Sequence, residues 1–331
     1  MQFAARRVLV PLDLPPAVPM TVRPDATVHA LHGETMGTTW SVKFAAPPRY
    51  ALGPVFADIV GILDAIVAQM STWIADSDIS RFNRAAPASW IEIPDDFRRV
   101  LHHALTLSQE TGGAFDPTIG ALVDSWGFGP AGRQGEAPSE NSVAGATRGW
   151  SRLKLSGARA LQPGGIQLDL SGIAKGYAVD RVADLLDRRG LANHLVEIGG
   201  ELRGTGVKPD GSPWWVELES TPPVLATVAA LHGLSVATSG DSQRYFIHEG
   251  RRMSHTIDPQ TGRPVSDRLA SVTVLHRRCM HADALATALT VMGPERGLAY
   301  AEAQGLAVRF ILRTSESYEE RVTPAFAAMS D

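Results

Sequence analysis

Between Val55 and Met70 the apolar residues Phe56, Ile59, Val60, Leu63, Ile66, Val67 and Met70 recur every three or four positions, which predicts an amphipathic helix. A second helix is predicted from Asp95 to about Thr111. It has acidic residues in its first turn, an apolar face through Phe97, Val100, Leu101, Ala104 and Leu105, and Gly112-Gly113 as its stop. Ile166 to Leu170 alternates like a short strand, Ser171 reads as an N-cap, and Ile173 to Arg189 reads as a helix closed by Gly190. Strand-like runs follow at His194 to Ile198, Trp214 to Glu219, Leu225 to Leu231, Leu234 to Ala237, Arg244 to His248 and Ala270 to Leu275. Helices are then predicted over Ala282 to Met292 and Pro294 to Gln304, before a closing strand at Ala307 to Leu312. Hairpin-linked strands with helices around them predict an α+β fold of mixed or antiparallel sheets, as one elaborated domain or two closely packed lobes.

Three stretches lack periodicity. Residues 1–28 are proline-rich and read as an extended arm lying on the body, 127–165 as a surface insertion with one short strand at Arg152 to Leu155, and 316–331 as a tail. The main domain is thus expected over 29–315. No run of about 18 apolar residues is found, so no membrane-spanning helix is expected.

Composition narrows the function. The 331 residues carry a net charge of -4, which offers no basic stripe for nucleic acid, and the single cysteine, Cys279, excludes a disulfide framework and a cysteine-built zinc site. The apolar stretch near the N-terminus is broken at Pro11, Asp13, Pro15 and Pro16, and no early cysteine is there to carry a lipid. A cytoplasmic protein is therefore expected.

Three segments carry candidate chemistry. Asp283 and Thr287 lie four apart on a predicted helix and offer oxygen, the donor that Mg²⁺ prefers; a carboxylate near a helix start equally suits the helix dipole. Asp169 to Gly176 runs through a tight turn into a helix N-terminus, with Lys175 one turn in, and reads either as an anion site or as a capped helix with a solvated lysine. Ser254 to Gly262 places His255 at a strand end before an Asp-Pro and Thr-Gly turn, as a candidate base or a structural histidine. No histidine spacing matches a zinc motif, and Gly199 to Gly206 opens no helix, against a dinucleotide-binding loop.

Together with further blocks, in order, these segments resemble the ApbE family of FAD:protein FMN transferases. The blocks are Met36-Gly37-Thr38-Thr39, Met70-Ser71-Thr72-Trp73 with Ser77 to Asn83, Gly113 to Thr118 with Trp126 to Gly129, Asp169 to Gly176, Glu197 to Gly200, Ala237 to Asp241, His255 to Gly262 and Ala282 to Ala288. The resemblance spans about residues 30–313 and implies an ApbE-like fold. It also implies that Mg²⁺ is held by the Gly172 carbonyl, Asp283 and Thr287. FAD contacts are implied at Met36, Trp73, Ile74, Ala75, Ala114, Phe115, Asp116, Asp169, Lys175, Ser239, Gly240, Asp241, His255 and Ile257. Trp73 stands where tyrosine is usual, and Gln260 where arginine is frequent.

The implied reaction is Mg²⁺-dependent transfer of FMN from FAD to a threonine or serine of an acceptor protein, with AMP leaving. His255 and Asp283 are the catalytic candidates, and the acceptor sequence is D-x-x-S/T-G/S-A-T. Gly145-Ala146-Thr147 is its nearest match in this chain, but Ala144 stands where a hydroxyl is wanted, against self-modification. The alternatives are a pyrophosphatase yielding FMN and AMP, and a non-catalytic FAD-binding protein.

Overall fold

The computed structural model describes residues 6–14, 18–132, 137–242 and 244–330. Parts of the expected arm and insertion, residues 1–5, 15–17 and 133–136, lie outside them, as does Asp331 of the expected tail.

The frame is an eight-stranded antiparallel sheet whose strands lie side by side in chain order. They are β1 (Thr27–Thr35), β2 (Thr38–Ala46), β3 (His194–Ile198), β4 (Glu201–Thr205), β5 (Leu234–Gly240), β6 (Leu269–His276), β7 (Ala307–Arg313) and β8 (Tyr318–Val322). Most other elements are inserted between neighbours, while Arg7–Leu9 precedes the first strand and a short helix follows the last. The helices, in chain order, are α1 (Leu52–Met70), α2 (Asp78–Asn83), α3 (Asp95–Glu110), α4 (Gly120–Ser125), α5 (Glu140–Gly145), α6 (Ala174–Arg188), α7 (Cys279–Ala303) and α8 (Pro324–Ala328).

Both faces of the sheet are covered, which is why β6 is buried along nearly its whole length rather than alternating. On one face α6 and α7 pack side by side, with α1 against α6; Phe44, Ile59, Phe97, Val179 and Leu289 belong to this main core. The other face carries Leu195, Val236 and Leu275 under a small sheet containing Trp214–Leu218 and Thr227–Leu231, and under Phe326 of α8. A third cluster, Leu122, Trp126, Val143 and Ile257, joins the α4–α5 region to the loops between β5 and β6.

The α+β architecture and the periodic helices agree with the sequence reading. Helices expected on either side of Gly293 form one run, kinked where that residue takes φ 75 and Pro294 follows. Several expectations need correction. Residues 166–170 form no strand, because their backbone is claimed elsewhere: Asn83 brackets Leu168 with bonds of 2.7 and 3.0 Å, and Asp169 N–H donates to Pro117 O at 2.8 Å. Ser171 is not the N-cap of α6; Ile173 holds that position.

Within the supposed insertion, Lys154–Ser156 and Arg159–Gln162 pair into a sheet with Ser89–Glu92, and Val143 and Ala160 are buried. Within the arm, Arg7–Leu9 adds a parallel strand beside Thr227–Leu231. The tail is instead the edge strand β8 followed by α8, whose fully buried Phe326 supplies the apolar payload. Finally, α1 does have the length and hydropathy of a membrane span, although Asp58 and Asp64 interrupt its apolar residues. Its stripe Val55, Ile59, Leu63, Ile66 and Met70 is nevertheless spent on the core.

Candidate active site

The turn leading into α6 lies directly on α7. A Cβ added to Gly172 would stand 2.8 Å from Thr287 Oγ1, and one added to Gly176 only 2.7 Å from Asp283 Cβ, so only glycine allows this approach. The Gly176 N–H, at the start of α6, donates to Asp283 Oδ2 at 2.9 Å. Gly172, Asp283 and Thr287, far apart in sequence, are thereby brought to one place.

Lys175 meets Glu201 there, with Nζ 2.5 Å from Oε1. Burial pushes the Glu201 carboxyl up to about 7, while Lys175 opposes and Asp283 adds to the shift. Burial likewise raises Asp283, against the pull of Lys175 and the Gly176 N–H. Burial disfavours the Lys175 ammonium, but the Asp283 and Glu201 carboxylates outweigh it and raise its pKa. Among the described residues, two buried carboxylates thus share the Lys175 cation, and Glu201 Oε2 has no hydrogen-bond partner. Such a pocket is short of positive charge. Among the described residues no three His, Cys, Asp or Glu side chains gather as a metal site. The donors present, a backbone carbonyl, a carboxylate and a hydroxyl, suit a hard ion such as Mg²⁺.

Around this centre the other expected residues fall into groups. Met36 forms the β1–β2 hairpin tip with Gly37, both at positive φ, and the Gly199 turn packs on the adjacent Thr38. Trp73 is 62% exposed and Ile74 is exposed too, whereas the Ala75 carbonyl accepts from Arg84 at 2.7 Å. A cleft of about 180 Å³, lined by Thr72, Asn83, Gln167 and Asp169 among others, joins the Trp73 segment to Asp169. Ala114 and Phe115 are buried, and Asp116 Oδ1 accepts from the Thr118 N–H and hydroxyl, so this block is chiefly a scaffold for the 166–170 segment. Burial raises the Asp116 carboxyl despite those bonds.

His255 Nδ1 lies 3.1 Å from the Arg244 carbonyl, which can only accept, so Nδ1 carries the proton and Nε2 keeps a free lone pair. Burial pushes its pKa down, with the charges of Arg244 and Lys175 adding to the effect, and leaves the ring neutral. Ile257 is buried in the third cluster. Ser239 and Gly240 end β5, and the Asp241 carboxylate is already taken by Arg252 and Arg313. It anchors the turn rather than offering a free charge.

Two residues escaped the sequence reading. Glu201 directly follows the Glu197 to Gly200 block, and only burial against Lys175 singles it out. Arg148 crosses from the insertion to donate to the Pro259 carbonyl at 2.7 Å, placing a guanidinium beside the turn where Gln260 supplies none.

Residues 36–310 match the model of the ApbE family. A Vibrio cholerae protein named FAD:protein FMN transferase is 40% identical over 311 residues, covering 92% of this chain and 93% of that protein. A Haemophilus influenzae protein of the same name is 36% identical, covering 93% of each chain. Among solved structures, the apo form of the Pseudomonas stutzeri flavinyl transferase ApbE superimposes with a TM-score of 0.87 at 41% identity, covering 92% of this chain and 97% of that one.

Proposed function

Because this chain belongs to the ApbE family, we propose that it is an FAD:protein FMN transferase that works with Mg²⁺ and releases AMP. The observation that carries this reading is the meeting of Gly172, Lys175, Asp283 and Thr287 at one half-buried, cation-poor point. Gly172, Asp283 and Thr287 would hold the ion, whose positive charge lowers the cost of crowding electrons onto a pyrophosphate.

The remaining work falls to the chain. Lys175, kept charged by Glu201 and Asp283, draws the diphosphate to the N-terminus of α6. Trp73 offers a flat exposed ring for the isoalloxazine. The Nε2 of His255 accepts the proton of an acceptor threonine or serine as its oxygen bonds to the FMN-side phosphorus. The P–O bond to the AMP side breaks, and AMP leaves with the bridging oxygen.

Mass spectrometry after incubation with FAD, Mg²⁺ and an acceptor protein tests this: one added FMN on a threonine or serine is expected, with AMP in equal amount. Asp283→Ala should abolish both. AMP formed at the same rate without acceptor would identify a pyrophosphatase instead, and intact FAD retained with the acceptor present would identify a carrier.

A further inference from the structure

We propose that a second cleft, between the kink of α7 and the loop carrying Asp258 to Leu269, receives the acceptor polypeptide. This rests on the transferase reading. The cleft measures about 450 Å³, and its walls include Asp258, Thr261, Arg268, Thr290 and Val291.

Its position follows from two elements that also build the site. On α7, Asp283, Thr287, Thr290 and Val291 fall within an arc of about 100°, so the cleft wall is the same stripe that presents the implied ion ligands, one turn further on. Residues three or four apart on a helix have Cβ atoms roughly 5–6 Å apart, which is within reach of one extended side chain. The opposite wall, Asp258 and Thr261, directly continues the segment that holds His255 and Ile257. One wall of the cleft thus continues the helix that carries two implied ion ligands, and the other continues the segment that carries the candidate base.

Of the implied FAD contacts, the Met36 tip, the Trp73 segment, the Asp116 block and the α6 turn belong to other segments, and His255 and Ile257 precede the cleft wall without entering its lining. None of them lines this cleft. A phosphoryl transfer needs its nucleophile roughly opposite the leaving group, so the acceptor hydroxyl has to enter where the nucleotide does not. A polypeptide segment suits such a lining, which combines the buried Leu269 and Thr290 with Arg263 and Arg268, whose pairs with Glu140 and Glu295 are exposed and can be exchanged by a polar chain.

Ser266→Trp and Arg268→Glu alter exposed lining positions outside the proposed machinery. The probe is a recombinant acceptor domain with the D-x-x-S/T-G/S-A-T sequence, and both variants are first checked for wild-type melting. The expected result is a KM for the acceptor domain raised by at least about tenfold, with the KM for FAD and the rate of AMP release to water unchanged. Anisotropy of the labelled acceptor domain should show the same loss of affinity without any turnover. An increase in the KM for FAD with an unchanged acceptor KM would assign the cleft to the nucleotide, and no change in either would remove it from the reaction; both overturn the proposal. A wild-type protein that binds the domain but transfers no FMN contradicts the transferase reading alone.

Discussion

The Gly176 N–H and the Asp283 carboxylate, 107 positions apart, form a buried hydrogen bond of 2.9 Å that ties the start of α6 to α7. A methyl group at position 176 would stand 2.4 Å from the Cys279 carbonyl oxygen, which is backbone and cannot swing aside. Gly176→Ala should therefore force the two helices apart. We expect a stability loss of about 1–3 kcal/mol, as for overpacked cores. Misplacing the centre by about 1 Å should cost up to roughly 100-fold in turnover. Urea unfolding beside FMN-transfer rates checks both, and a fully active variant would mean that the helix contact does not set the site.

Glu201 makes a different trade. Its carboxyl is raised to about 7 from an ordinary 4.5, so its buried charge takes away stability as pH rises through that window and adds none back above it. Glu201→Gln should make the protein without Mg²⁺ more stable at pH 8, by about 2 kcal/mol. With one negative charge fewer, Mg²⁺ should stabilise the variant less than the wild type. Thermal melts at pH 8 with and without Mg²⁺ measure both effects, and equal Mg²⁺ stabilisation in the two proteins would separate Glu201 from the ion.

How far the sequence reaches is visible in these residues. The periods of α1, α3 and α6 were legible because burial imposes them locally. The strand expected at 166–170 was misread because alternation cannot reveal that the Asn83 side chain and the 117–120 backbone claim its hydrogen bonds. The motif blocks located Lys175, Asp283 and Thr287, but Glu201 and Arg148 acquire their meaning only from partners that the fold delivers. The edge strand β8 and the buried Phe326 were hidden because a short segment that pairs with a sheet carries no signature of its partner.

Asp180 is fully buried and accepts from the N–H groups of Cys279 and Met280 at 3.1 and 3.0 Å, while pairing with Arg203 and Arg278. A carboxylate on α6 thus does for the first turn of α7 what an N-cap side chain normally does. Asp180→Asn keeps one acceptor oxygen but leaves two arginines without their buried counter-charge. A loss of about 3 kcal/mol is expected in urea unfolding. Asp184 also pairs with both arginines, so Asp180→Asn combined with Asp184→Asn should cost more than the two singles added together.

The buried histidines predict acid sensitivity. His194 is fully buried; its Nδ1 donates to the Leu191 carbonyl at 2.8 Å, and its Nε2 has no partner among the described residues. Asp187 lies 3.8 Å away, which would favour a charged ring, but burial dominates and pushes the pKa down to about 4. The unfolded chain takes up this proton near 6.5, the folded one only near 4. The associated stability is therefore complete above pH 6.5 and disappears as pH falls towards 4, by on the order of 3 kcal/mol for this residue. Burial also depresses His103, His276 and His281, which stack on one another, so they act with the same sign. Urea unfolding at intervals from pH 7 to 4.5 should show a steep decline, and His194→Gln should flatten it by up to one proton's worth of slope. An unchanged slope in that variant would mean that His194 takes up its proton as readily in the folded protein as in the unfolded chain, so that burial does not shift it.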